Sequence, residues 1–314
     1  MIDNLLFSIN VALPIFLVML IGWVLRQREF INETYVQRTN ALVFYVALPI
    51  KLFYDVSRTN FFDAFDMGLM AFIVGATAAS MLLAWLMGAF TVQPAQLGAF
   101  VQGCFRGNFL YIGFSLMENI TGSINPKAPI AAAFVIPLYN LLSVFILTDR
   151  GGEETFLGKI RKTGLGIIRN PLTIAIALGA LVSLVDLRLP VVVARTMDYF
   201  SVMTTPLALL AIGASFQIPA ARANMKTALL ASGFKLVLLP LVTVSLVLMQ
   251  GVTGNDLVMV FIFFGGPTAT VSYIMAANMK GDSQLAASII MLTTALSVLT
   301  MTGFVFAFKT LGLL

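Results

Sequence analysis

Arg106 sits where a membrane would offer it no partner. It lies in the middle of the apolar stretch GAFVQGCFRGNFLYIGFSLMEN (98–119), between Gly103 and Gly107, with Asn108 following. A guanidinium at the centre of a membrane span costs about 2.5–3.5 kcal/mol on insertion scales. It stays protonated, and its planar fork matches a carboxylate through two parallel hydrogen bonds. Binding the carboxylate of a substrate is the chemistry this residue suggests. A fixed ion pair or a carbonyl cap inside a helix bundle would use the same residue, and a misplaced span would leave it in a loop.

A second apolar stretch, VMVFIFFGGPTATVSYIMAANM (258–279), is also interrupted at its centre, by Gly265, Gly266 and Pro267. Pro267 has no amide hydrogen and its ring clashes with the preceding turn, so a helix must kink or open there. Unwound backbone at membrane depth is tolerated only inside protein or beside a wet cavity. Two such breaks facing each other would aim half-helix N-termini at one point, a ready anion site. Asn108, Thr268, Thr270 and Ser272 have the reach to join a ligand, although each could equally make a helix–helix hydrogen bond. The candidate substrate-binding set is therefore Arg106, Gly107, Asn108, Gly265, Gly266, Pro267, Thr268 and Ser272, with Asn40 and Pro49 from an earlier span. Lys51 and Asp55, one helical turn apart, read as a surface pair or as snorkelling side chains. Lys235 could snorkel inward or neutralise an acidic partner, and Glu118 and Asn119 read as interfacial. Tyr111 and Tyr273 read as packing residues.

The elements that must hold these residues are membrane helices. Of 314 residues, 59% are hydrophobic and 11% charged, against about 25% charged in a soluble domain. Taking roughly 20 apolar residues per crossing, spans fall near 5–25, 35–56, 66–90, 96–119, 129–148, 170–187, 196–216, 225–250, 255–278 and 283–308. The first reads as a retained span, because Asp3 stands where a signal peptide has basic residues and Arg26 and Arg28 follow the apolar run. Ten lysines and arginines lie in loops after odd-numbered spans and five on the other side. That bias puts the odd loops in the cytoplasm of a bacterial-type inner membrane and both termini outside.

The two halves resemble each other at a fixed offset. Pro14 and Pro171, Gly22 and Gly179, and Pro49 and Pro206 are each 157 residues apart, and Gly107 and Gly265 are 158 apart. Chance matching of common membrane residues is the plain alternative. As a repeat, 1–150 and 170–314 would be five-span units joined by a cytoplasmic linker, 151–169. Five is odd, so the second unit would enter the membrane inverted, an arrangement of secondary transporters that places substrate near the midplane between broken helices.

Four stretches carry a further likeness: Asn40 to Pro49 (N-x8-P), QGCFRGNFLYIG (102–113), PLALLAIGASF (206–216) and GGPTATVSYIMAANMKGD (265–282). Their order and spacing resemble the auxin efflux carrier family, which includes bacterial malonate and malate permeases and the plant PIN exporters. The resemblance spans nearly the whole chain. It implies ten spans in two inverted repeats, with spans 1, 2, 6 and 7 as a scaffold that often dimerises. Spans 3–5 and 8–10 would form a mobile transport domain working by an elevator-like motion. The plant exporters carry a proline at both crossings. Here span nine has Pro267 and span four has Arg106-Gly107-Asn108 instead, which favours a charged carboxylate over an auxin-like substrate.

Other functions fit less well. The excess of five positive charges lies in short loops rather than on a nucleic-acid-binding face. There is no histidine, which removes the commonest metal ligand and the usual near-neutral proton relay, and the single cysteine, Cys104, allows no disulfide within the chain. No HExxH, acidic pair or P-loop is present, so no enzyme chemistry, cofactor or ATP use is expected. No acidic cluster marks a site for a coupling proton or sodium ion. The expectation is an all-α carrier of a small mono- or dicarboxylate, driven by an ion gradient or the membrane potential. A channel or a non-transporting receptor for the same anion is the alternative.

Overall fold

The computed structural model describes residues 2–59, 64–147, 170–216 and 224–314, in which the regular elements are all helices. The expected cytoplasmic linker 151–169, with Lys159, Arg161, Lys162 and Arg169, lies outside the described residues, as do Arg150 and Arg222. The helices are α1 (Ile2–Gln27), α2 (Glu33–Ser57), α3 (Met67–Thr91), α4 (Pro94–Phe105), α5 (Phe114–Thr121) and α6 (Lys127–Leu147). They continue with α7 (Pro171–Leu184), α8 (Val191–Ala214), α9 (Met225–Leu248), α10 (Gly254–Gly265), α11 (Val271–Asn278) and α12 (Ser283–Thr310). Seven of them, α1, α2, α3, α6, α8, α9 and α12, are long and apolar enough to cross a membrane. The chain is an all-helical membrane protein.

Of the five shorter described helices, α7 has 14 residues and the other four come in two series. α4 and α10 have 12 residues each and α5 and α11 have 8. Twelve residues rise about 18 Å, little more than half of a hydrocarbon core about 30 Å thick. Each pair is thus one apolar stretch interrupted near its middle, as the glycines and Pro267 predict.

Three described helices also widen locally into π-turns, at Val43–Ala47 in α2, Phe109–Gly113 before α5 and Phe234–Leu238 in α9. In α2 the Leu48 amide donates to the Val43 carbonyl five residues back, and Pro49 follows. A proline ring collides with the carbonyl four residues earlier and offers no amide, and one wider turn relieves both problems. Pro240 stands in the same place after the α9 π-turn.

Two helix pairs pack backbone to backbone. A Cβ on Gly22 of α1 would lie 2.2 Å from the Leu210 carbonyl oxygen of α8, and one on Gly213 of α8 would lie 1.8 Å from that of Met19. Likewise a Cβ on Gly179 of α7 would lie 2.8 Å from the Phe53 carbonyl oxygen of α2. Small residues let membrane helices approach this closely, which matters where lipid removes the hydrophobic drive between helices.

At one end of the bundle Lys127 joins three elements. Its Nζ lies 3.0 Å from Asp66 Oδ2, before α3, and 2.7 Å from Asp256 Oδ2 in the first turn of α10. The Asn125 amide donates to Asp256 Oδ1 at 2.8 Å. Lys51 departs from expectation: it is buried and faces Glu118 of α5 at 3.8 Å. Its neighbour Asp55 has one carboxylate oxygen enclosed with no hydrogen-bond partner among the described residues. This part of α2 packs against α7 and α8 and faces α5 through Glu118, which a view of α2 alone could not show.

Two tests follow from this packing. Gly213→Ala should push α1 and α8 apart, at about 1–3 kcal/mol by the usual cost of overpacking, and lower the melting temperature in detergent. Gly303→Ala, with nothing within 4 Å of the new Cβ, should not. The Leu69 amide and Lys127 hold Asp66 below its ordinary carboxylate pKa of 3.8. A lowered folded-state pKa contributes stability that is present above 3.8 and fades as pH falls through the folded value. Lys127→Met should shrink this acid-dependent loss in thermal melts between neutral and strongly acidic pH.

Candidate functional site

The two interrupted stretches meet. Gly107 and Thr268 face each other as an antiparallel bridge. The Asn108 amide donates to the Pro267 carbonyl at 2.7 Å, and the Ala269 amide to the Arg106 carbonyl at 3.1 Å. Each break thereby supplies what the other lost on leaving the helix. Thr268 finishes the joint: its hydroxyl donates to the Gly103 carbonyl at 2.6 Å and its amide to Thr293 Oγ1 of α12 at 3.1 Å. The Gly107 amide donates to the Tyr139 hydroxyl at 3.2 Å.

Arg106 is 5% exposed. One guanidinium nitrogen donates to Ser143 Oγ at 3.1 Å and to the Met275 thioether at 3.0 Å, and the other to Asn140 Oδ1 at 2.9 Å. The Tyr139 ring lies 5.8 Å from the guanidinium carbon. Every one of these partners is neutral. Among the described residues no carboxylate comes within 4.0 Å of the group. Among the described residues, no internal ion pair holds this charge. Nearby, Gln102 Oε1 and Ser272 Oγ are buried without a hydrogen-bond partner among the described residues. Gln102 precedes Arg106 by one helical turn, and Ser272 precedes Met275 by one.

A cavity of about 150 Å³ opens at this point, bounded by Arg106, Gly107, Asn108, the π-turn residues Phe109 to Tyr111, Tyr139, Asn140, Asn170 and Ala269 to Val271, among others. At about 30 Å³ per water, that is room for a few-atom ion. Phe44, Tyr111, Thr270 and Val271 also border a larger cleft of about 880 Å³, so the two spaces adjoin. The cleft runs between α2, with Glu33, Gln37, Asn40 and Tyr45, and α11 and α12, with Tyr273, Ile274, Ser283 and Gln284.

The structure therefore brings Arg106, Gly107 and Asn108 to one cavity and Asn40 to the adjoining cleft. Gly265, Gly266, Pro267, Thr268, Ser272 and Pro49 do not border either space. The glycines serve close packing instead: a Cβ on Gly265 would lie 2.4 Å from the Phe261 ring and one on Gly107 2.9 Å from the Phe263 carbonyl oxygen. The amides at the bridge are committed to carbonyls of the facing stretch and to the hydroxyls of Tyr139 and Thr293. The residues that open the second half-helices, where amides lack intrahelical acceptors, lie one step further on: Phe109, Leu110, Thr270 and Val271 line the cavity.

Sequence reasoning passed over Tyr139, Asn140 and Ser143 of α6. A signal existed, since Asn140 and Ser143 are i and i+3 polar residues in an otherwise apolar span just after Pro137. The role of Tyr111 as a wall of both spaces was also passed over. Lys235 is fully buried and donates to the Phe264 carbonyl at 3.1 Å, with no carboxylate within 4.0 Å among the described residues. It neither snorkels nor neutralises an acid.

Interrupted helices that meet inside a helical membrane protein are a feature of secondary transporters. The chain belongs to the membrane transport protein family of the auxin efflux carriers, whose profile matches residues 7–305. It is similar to an uncharacterized transporter of Methanocaldococcus jannaschii, 20% identical over 92% of this chain and 95% of the relative. It is also similar to a Rhizobium meliloti protein named "Putative malonate transporter", 24% identical over 86% of each chain. A third relative, an uncharacterized transporter of Methanothermobacter thermautotrophicus, is 22% identical over 94% and 96%. The chain is a multi-pass membrane transporter and not an enzyme.

Asn140→Asp would place a carboxylate at the 2.9 Å contact with Arg106. If the guanidinium awaits an external anion, this built-in counter-ion should keep or raise the melting temperature and remove stabilisation by added carboxylates. A thermal-shift titration measures both.

Proposed function

We propose that this protein carries a small mono- or dicarboxylate across the membrane by alternating access, with Arg106 holding the substrate carboxylate. The observation that carries this is the guanidinium beside a cavity with only neutral acceptors around it. A buried charge without a counter-charge is costly, and an anionic ligand is the partner that offsets the cost. The fork can give up its bonds to Asn140 and Met275 for a two-point grip on a carboxylate. First-turn amides of α11 and of the π-turn before α5 would add further donors and dipole ends. The name of the Rhizobium meliloti relative supports malonate as the first compound to try.

The ten-span inverted repeat is part of the same proposal. α1 packs on α8 and α7 on α2 through equivalent backbone approaches at Gly22 and Gly179, residues one repeat offset apart. That is the pairing expected when spans 1 and 2 exchange roles with spans 6 and 7. In this reading α1, α2, α7 and α8 form the scaffold, and α3 to α6 with α9 to α12 form a mobile unit that carries the site in an elevator-like motion. The cleft lies along their boundary. With both termini outside, it opens toward the cytoplasm, because Glu33 and Ser283 follow the loops after spans one and nine. A homodimer through the scaffold and an ion gradient or membrane potential as driving force complete the reading.

The test uses purified protein and proteoliposomes. Malonate and related carboxylates should raise the melting temperature with saturation, and loaded vesicles should show counterflow. Arg106→Ala should fold and insert, yet lose both responses. Unchanged uptake in Arg106→Ala would refute the assignment, and non-saturating conductance would indicate a channel.

A further inference from the structure

Lys235 is the most deeply buried charged side chain among the described residues, at 0% exposure. It lies in the π-turn Phe234–Leu238 of α9, and its ammonium donates to the carbonyl of Phe264, in the last turn of α10. The last four carbonyls of a helix have no intrahelical partner and form its negative end. α4 and α10 both end at the crossing point, so two such ends face the same low-dielectric region. That of α4 is closed by the Arg106 amide on the Gln102 carbonyl and by the Thr268 hydroxyl on the Gly103 carbonyl. That of α10 receives the ammonium. The place where a Cβ of Gly107 would stand is 3.1 Å from Lys235 Nζ and 2.9 Å from the Phe263 carbonyl oxygen. The missing side chain at Gly107 thus leaves the ammonium its room, directly behind the strand that bears Arg106.

We propose that Lys235 acts as a tethered monovalent cation of the crossing point, capping the carbonyl end of α10 against the Arg106–Asn108 strand. An ammonium and a free alkali ion satisfy helix-end carbonyls in the same way, by charge and by direct contact with oxygen. Carrying the cation on α9 makes the fold of the crossing, and the placement of Arg106, independent of sodium and potassium. Lys235 is here a positioning residue: it acts on the anion site through the strand and does not line the cavity.

The first readout is the melting temperature of the protein without substrate, which does not depend on the anion-carrier reading. Lys235→Ala should melt several degrees lower and recover in methylammonium chloride, a cation small enough for the vacated space. Tetramethylammonium chloride at equal concentration should give no recovery. Lys235→Met, which fills the space without charge, should also melt lower and should not recover. Wild-type stabilisation by malonate should be the same in sodium, potassium and N-methylglucamine salts. A Lys235→Met protein that melts like wild type, recovery of Lys235→Ala by neither cation or by both equally, or an alkali-ion requirement in wild type would each overturn the proposal. If Lys235→Ala does not fold in ordinary buffer, it is extracted and purified in methylammonium throughout, and failure to recover it there counts against the proposal as well.

Discussion

Backbone amides and carbonyls inside a bilayer have no water to bond, so a helix can stop there only if something replaces its lost hydrogen bonds. In this protein two interrupted helices replace them for each other. The pair of bonds between Arg106–Asn108 and Pro267–Ala269 is the smallest unit of β-structure, placed in an all-helical molecule. Its existence requires the rest. Thr268 and Tyr139 must be there to satisfy the groups the bridge leaves over, and Gly107 and Gly265 must be bare because a carbonyl and a ring lie where their side chains would go. Fully buried aromatic rings pack around the joint, with Phe109 stacked on Phe263 at 4.3 Å between the two stretches.

The π-turns extend the same logic from structure toward function. All three among the described residues serve the crossing region: one brings Phe44 and Tyr45 to the cavities, one forms the wall from Phe109 to Tyr111, and one directs Lys235 at the α10 end. A π-turn costs regular helical bonding, and two of these are followed by a proline that makes regular bonding unavailable. The prolines 49 and 240 therefore matter through the turn they widen. That explains how Pro49 can shape the cleft while staying out of its lining.

Much of this was legible in the sequence, for a simple reason. Glycine and proline in the middle of an apolar run have few meanings in lipid, so both interruptions could be placed from the sequence, and the seven long apolar helices fall on expected spans. Arg106 was visible as a charge at a span centre. The contents of its cage were not, because Asn140, Ser143 and Met275 are ordinary membrane-helix residues until three helices converge. Lys51 and Lys235 show the same limit. A lysine in a span reads as snorkelling when its helix is considered alone, and only the packing of α5 or α10 reveals a cation held inside. Gly265, Gly266 and Thr268 were legible as part of the break but not as its joinery, since only the path of the partner strand decides which residues face the cavity and which face the joint.

The distribution of tight and loose contacts bears on how such a molecule could move. α1 against α8 and α2 against α7 touch through backbone at bare glycines, contacts that admit no sliding without collision. The boundary between α2 and the α11–α12 side is an open cleft. Elsewhere that boundary carries, among the described residues, scattered polar contacts such as the 3.8 Å approach of Lys51 to Glu118, the Asn119 amide donating to the Val11 carbonyl at 2.8 Å and the Asn4 amide donating to Thr310 Oγ1 at 3.3 Å. Within the proposed mobile unit, by contrast, Lys127 binds α6 to the starts of α3 and α10, and the bridge binds α4 to α10 and α11. Close-packed interfaces repack between discrete arrangements rather than deforming gradually. In the proposed motion, a rigid unit carrying Arg106 changes sides by exchanging these polar ties for the closure of one cleft, while the crossing that holds the charge stays intact throughout.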